Sequence, residues 1–186
     1  MKRILAAVLL TVMLSGCGQQ TGEMERAIAL RSRMEQGSGC TFDATITADY
    51  GDEVYVFEMN CQVNAEGKLT FCVIAPESIS GISGVIEDSG GHIVFDGKLL
   101  SFEMLADGLI TPVSGPWLMI HTLRCGYIAA CGQAENGIQI GIDDTYKDSP
   151  IHLEFWTDNN DLPLRGEVVW QERRILTIDV KNFAFL

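Results

Sequence analysis

Positive charge is what this sequence has least of: 13 Lys and Arg stand against 25 Asp and Glu, a net charge of −12. Binding to phosphate backbones needs a basic face, which these scattered cations do not build, so nucleic acid is excluded as a partner. Proline is scarce too, with five against nineteen glycines. Together with many Val, Ile, Thr, Phe and Tyr stretches, this favours short strands and tight turns over a helical bundle. No phosphate loop or dinucleotide fingerprint occurs. Ser80, Ser83 and Ser114 lie near glycines without completing Gly-x-Ser-x-Gly. What is abundant is apolar side chain, at 47%, which excludes a disordered chain and gives one folded domain ample core.

Lys2 and Arg3 form a positive start, followed by an apolar run from Ile4 to Leu14. That run is well short of the ~20 residues a permanent transmembrane helix needs, and it reads as a cleavable export signal over residues 1–16. No second stretch approaches spanning length. Leu14-Ser15-Gly16-Cys17 resembles the lipobox of bacterial lipoproteins. The resemblance implies that Cys17 becomes the first mature residue and that its sulfur carries fatty acyl chains such as palmitate. Each buried methylene contributes ~0.8 kcal/mol, so two or three chains anchor a protein stably. Residues 17–22 are then a polar, glycine-rich tether, and residues 23–186 form one extracytoplasmic domain held to the membrane through acylated Cys17. Loss of Lys2 and Arg3 leaves that body more acidic still, which repels it from anionic headgroups.

Five cysteines remain beyond Cys17, namely Cys40, Cys61, Cys72, Cys125 and Cys131. An odd number cannot all pair internally. Export permits disulfides, yet Cys61 and Cys72 fall diagonally across an expected hairpin, and Cys125 and Cys131 face different directions on an expected helix. Small buried hydrophobes is the reading preferred for most of them.

Residues 23–36 place Met24, Ala27, Ile28 and Met34 at helical spacing, with Gly37 as the stop. Phe42, Ala44, Ile46, Ala48 and Tyr50 then alternate with polar residues at the period of a half-buried strand. Tyr55, Phe57, Met59 and Cys61 repeat that alternation, and Asn64-Ala65-Glu66-Gly67 turns the chain into Leu69, Phe71 and Val73. Residues 79–84 read as a loop. Short strands are expected at 85–88, 92–96 and 99–105, with a turn at Asp96-Gly97. Trp117, Ile120, Leu123, Tyr127, Ile128 and Cys131 fit a second helix over 117–131 with Pro116 in its first turn. Strands return around Ile138, Ile140 and Ile142, around Ile151, Leu153 and Phe155, and in a closing hairpin at Glu172-Arg173. So many strands in one open sheet must curl. The expected fold is mostly β (α+β): a curved antiparallel sheet forming an open half-barrel, with an N-terminal helix and one inserted helix packed on its concave side.

The order of elements, with the closing unit Leu162-Pro163-Leu164-Arg165-Gly166-Glu167-Val168-Val169-Trp170 followed by Ile175-Leu176-Thr177-Ile178-Asp179-Val180-Lys181-Asn182-Phe183, resembles the LolA/LolB-like lipoprotein carrier superfamily. The resemblance implies a half-barrel whose apolar interior holds acyl chains or other hydrophobic ligands under a helical lid. A germination lipoprotein of spore-forming clostridia is similar in layout, and it implies an alternative role, binding an exported cell-wall enzyme.

Candidate ligand-lining residues are Tyr55, Phe57, Met59, Leu69, Phe71, Ile138, Ile140, Leu153 and Phe155, with Met59, Met104 and Met119 as adaptable fillers. The same alternation equally serves a dry core, since burial of such side chains contributes ~1.5–3 kcal/mol each whether or not a ligand exists. Other candidate chemistry is thin. His121 and Cys125 share a helix face without a third ligand. His152 and Glu154 share one strand face as ordinary surface. Asp158-Asn159-Asn160-Asp161 begins like a calcium loop, but Leu162 and Pro163 break the pattern, leaving a turn. No active site, metal or cofactor is expected. The chain reads as a non-catalytic binding module for a lipid or acyl chain, or alternatively as a regulator of an exported protein.

Overall fold

The computed structural model describes residues 20–88, 90–94, 106, 110–145 and 151–186. The export signal, Cys17, the Asp96-Gly97 turn, the strand expected at 99–105 and Met104 lie outside these residues. Helix α1 spans Gln20–Gln36 and begins three residues before the expected start. Strands β1 (Gly39–Asp49), β2 (Val54–Asn64), β3 (Leu69–Ala75), β4 (Ser83–Glu87) and β5 (Gly90–Val94) follow. A 3-10 turn at Pro112–Ser114 leads into helix α2, Gly115–Cys125. The chain then makes β6 (Tyr127–Ala134), β7 (Gly137–Asp143), β8 (His152–Thr157), β9 (Pro163–Trp170) and β10 (Arg173–Phe185).

All ten strands form one antiparallel sheet in the order β5-β4-β3-β2-β1-β10-β9-β8-β7-β6. It is curved and unclosed, the open half-barrel expected from the strand count. The first and last strands, β1 and β10, meet in its middle, with Ile46 opposite Ile178. Hence β5 and β6, consecutive in sequence, stand at opposite edges, and the chain between them has to cross the sheet. That crossing carries α2 onto the inner face.

Strict alternation explains how the sheet acquires two faces. In β1 the even positions Cys40, Phe42, Ala44, Ile46 and Ala48 are buried while the odd ones are half-exposed. In β2 the buried set is Phe57, Met59, Cys61 and Val63. The inner side chains join those of α1 (Ala27, Leu30, Met34) and α2 (Leu118, Met119, Ile120, Leu123) in one apolar cluster. Gly115 and Gly166 let α2 settle closely. A Cβ on Gly115 would lie 3.4 Å from Ile178, and one on Gly166 would lie 3.0 Å from the Met119 sulfur.

Two expectations need correction. The helix expected over 117–131 stops at Cys125, and Tyr127, Ile128 and Cys131 lie on edge strand β6. The break is at Gly126, which is extended (φ −72, ψ 168) while its N–H still bonds the Thr122 carbonyl. There is no space for a side chain at that position, because a Cβ would lie 2.6 Å from the Thr122 oxygen and 2.8 Å from Ile142. The apolar spacing beyond Gly126 belongs to a strand that pairs with β7, where Ile128 faces Ile142. The loop expected at 79–84 ends earlier, since Ser83 and Gly84 already pair with Cys72 and Phe71.

Candidate functional site

Eight of the nine candidate lining residues come together on the inner face. Phe57 and Phe71 are 2% exposed, Leu153 1%, and Met59, Leu69, Ile138, Ile140 and Phe155 0%. Cross-strand pairing sets their neighbours, with Ile140 opposite Phe155 and Ile142 opposite Leu153. Tyr55 stands apart. It is 50% exposed at the start of β2, edge-on to the Tyr50 ring with its hydroxyl on Glu53, so it belongs to the rim. Val54 and Val56 beside it are 59% and 54% exposed, giving three consecutive apolar side chains open to solvent.

Helices α1 and α2 roof the inner face through their buried apolar side chains, and polar contacts join them to the rest of the fold at the periphery. Arg31 of α1 donates to the carbonyls of Leu123 (2.7 Å) and Gly126 (2.8 Å), where the last carbonyls of α2 lack helical partners. Arg124 donates to the Ala65 carbonyl at 2.8 Å, tying α2 to the β2–β3 turn. Arg26 pairs with Asp161 at 2.6 Å, tying α1 to the β8–β9 turn. Underneath, Trp117 Nε1, Thr122 Oγ1 and Trp170 Nε1 are buried without a hydrogen-bond partner. Such atoms are rare in native interiors, because leaving one unpaired costs about 1–3 kcal/mol.

The other motifs singled out in the sequence fall outside this interior or on its margin. His121 stacks on Trp117 with ring centres 4.6 Å apart and meets Asp88 at 3.1 Å, while Cys125 is exposed. His152 lies on the outer face between Asp143 (2.7 Å) and Glu154 (3.0 Å), and Gln139 donates to Glu154 at 2.8 Å. Burial alone pulls the imidazole pKa down, but the two carboxylates, by hydrogen bond and by charge, outweigh it and hold it above 6.5. Asp158 Oδ1 accepts the N–H groups of Asn160 and Leu162, each at 2.8 Å, which is the expected turn. Among the described residues no set of three or more His, Cys, Asp or Glu is placed to hold a metal.

Sequence reasoning missed a second surface. The outer faces of β10, β1, β2, β3 and β4 form an open groove of about 570 Å³. At its centre Asp43 accepts the side-chain N–H of Asn60 on Oδ1 (2.6 Å) and of Asn182 on Oδ2 (2.7 Å). Asn182 sits in a β-bulge with a left-handed φ of 53, where the β1–β10 register slips between Thr41 and Asp43. A bulge re-aims a side chain in this way. In sequence Asp43 and Asn60 were the polar half of an alternation, whereas Asn182 falls at the parity of the buried Ile178 and Val180, a break in the alternation that marks the bulge.

No family model matches the sequence, and no curated protein matches it significantly. Solved structures are similar in fold. One is a LolA superfamily protein of Nitrosomonas europaea, at 7% identity and a TM-score of 0.45, covering 91% of this chain and 94% of that one. Another is an outer membrane lipoprotein-sorting protein domain of Vibrio parahaemolyticus, at 9% identity and a TM-score of 0.39, covering 90% and 93%. MucB is similar over 90% of this chain and 60% of its own length, at 10% identity and a TM-score of 0.45.

Proposed function

We propose that this protein is a non-catalytic lipoprotein that holds an apolar ligand, a lipid or acyl chain, between its curved sheet and its two helices. In this reading residues 1–16 are the export signal, Cys17 carries the acyl anchor, the tether ends where α1 begins at Gln20, and the binding domain follows outside the cytoplasmic membrane. The observation that carries the reading is the pair of orphaned polar atoms on α2. Trp117 Nε1, at the edge of the core, and Thr122 Oγ1 lack partners on a helix that packs in one cluster with Phe57, Met59, Leu69, Phe71, Ile138, Ile140, Leu153 and Phe155. A ligand with an acyl tail and a polar group can supply a partner to one such atom and apolar contact to the rest. Arg26, Arg31 and Arg124 add polar contacts at the margin of the roof, whose apolar faces pack on the sheet. Native mass spectrometry of the body, exported without the acyl acceptor, tests this. A co-purifying lipid mass is expected, and a consistently empty protein from several growth conditions overturns it.

The second reading, a regulator that docks on an exported protein, is favoured by the exposed Val54-Tyr55-Val56 stretch at the start of β2. Cross-linking in intact cells, followed by capture, should return an extracytoplasmic partner that is lost in a Val54→Ser/Val56→Ser variant. Capture of no such partner removes the reading.

A further inference from the structure

Strand β6 stands at one edge of the sheet, and among the described residues it is paired on one side only, to β7. Edge strands are ordinarily guarded by Lys, by Pro or by inward-pointing charges. From Gly126 to Ala134 there is none of these: the run Gly-Tyr-Ile-Ala-Ala-Cys-Gly-Gln-Ala carries no charge, in a chain of net charge −12. Its side chains are open to solvent at both parities, with Ala129, Ala130, Gly132 and Gln133 exposed and Tyr127 47% exposed.

Helix α1 runs beside this strand. Met24 Sδ lies 3.9 Å from Cys131 Sγ, and Arg31 donates to the Gly126 carbonyl at 2.8 Å, so the start of α1 points toward the Ala134 end of β6. Gln20, the first residue of α1, is about 6 Å along the helix axis from Met24. Only Gly18 and Gln19 separate Gln20 from Cys17, a span of at most about 11 Å. If Cys17 carries acyl chains, as the proposed function holds, the bilayer is therefore always within reach of β6.

We propose that the open edge of β6 lies against the headgroup layer of the membrane that holds the anchor. This rests on the lipoprotein reading, and is independent of what the interior binds. Charge selects this edge, because anionic headgroups repel the acidic faces of the body and leave an uncharged strand unopposed. At headgroup depth water and lipid oxygens remain to bond open backbone groups, which hydrocarbon does not supply. The small side chains of Ala129, Ala130 and Gly132 let that layer approach the backbone, and Tyr127 suits a boundary that is apolar on one side and wet on the other. A second copy pairing edge to edge would instead bring two acidic bodies together.

The test is photo-crosslinking of the full-length protein, purified from its membranes and reconstituted into vesicles of phosphatidylcholine with a minority of phosphatidylglycerol. A benzophenone amino acid replaces Ala129 or Gln133 on β6, or, as references, the exposed Asp52 or Glu77 on the loops after β1 and β3. Lipid adducts are expected at 129 and 133 and not at 52 or 77. The isosteric Gln133→Glu should cut the adduct at 129 about fivefold, as expected for one charge facing an anionic surface. Flotation of the vesicles separates the two ways of failing. Protein that does not float with them overturns the anchor, and this orientation with it. Protein that floats but gives equal adducts at all four positions, or adducts at 129 and 133 to a second copy of the chain, overturns the orientation alone. So does an adduct at 129 that Gln133→Glu leaves unchanged.

Discussion

Cys40 and Cys61 are buried on the inner face of β1 and β2, and their environment decides their chemistry. Burial pushes the Cys40 thiol up to about 12, only partly offset by the Arg124 charge, and burial with Asp43 and Cys40 nearby pushes Cys61 higher still. Neither supplies thiolate at neutral pH, and the thiolate is the reactive form. Cys125, exposed at the end of α2, is unpaired as well. Native alkylation read by peptide mass spectrometry should therefore modify Cys125 first and reach Cys40 and Cys61 only in denaturant. Early labelling of Cys61 would contradict the packing. His152 makes a second prediction at this scale. Its pKa is raised in the folded state, so its contribution to stability is full below about 6.5, the unfolded value, and disappears as pH rises through the higher folded value. Melting temperature should fall more steeply from pH 6 to pH 8.5 in the wild type than in His152→Gln. Parallel profiles would show that the Asp143 and Glu154 contacts do not favour the charged ring. The sequence placed His152 and Glu154 on one face. That Asp143 closes the pair depends on the β7–β8 register, which sets Asp143 opposite His152.

Helix α2 and strand β6 show how one residue divides an apolar run into two elements. Apolar spacing from Trp117 to Cys131 is compatible with one helix, but Gly126 is packed between the Thr122 carbonyl and Ile142, and the chain leaves it extended. Gly126→Ala should cost about 1–3 kcal/mol through that overlap, read as a lower midpoint in urea. A neutral outcome would mean that the junction can relax. Arg31 acts at the same junction from α1, bonding two carbonyls at 2.7 and 2.8 Å. Hydrogen bonds from a charged donor contribute about 1.5–3 kcal/mol each. Arg31→Met should therefore destabilise the roof by a few kcal/mol and raise amide exchange in α1 and α2 above that in β1 and β10, as hydrogen-exchange mass spectrometry would show. Uniform exchange across the sheet would mean that α1 and α2 are held by their apolar faces alone. The closing hairpin was legible to within a residue. Its two-residue turn is Gln171-Glu172, with φ of 49 and 63, rather than Glu172-Arg173. These are the left-handed values that the twist of a tight hairpin demands.

At the scale of the whole molecule, two meanders spread outward from the β1–β10 pair, and the crossing chain between their far edges lays α2 over the inner face. If Cys17 is the anchor, Cys17→Ser should abolish incorporation of labelled palmitate and leave the protein at precursor mass. Continued labelling would place the anchor elsewhere. Much of this architecture was written in the sequence: the period-two runs of β1, β2, β7 and β8, the glycine stops and the helix-period face of α1 are local consequences of side-chain direction and backbone freedom, so composition and spacing determine them. The sequence alone also determined the acidic surface and the two-faced character of the strands. Only the tertiary structure decided that Gly126 ends a helix, that Tyr55 lies on the rim while Phe57 lies inside, and that Asp43, Asn60 and Asn182 converge on the outer face. The last depends on a register between segments far apart in the chain, 139 positions for Asp43 and Asn182. A local pattern carries no information about which distant strand will lie alongside it.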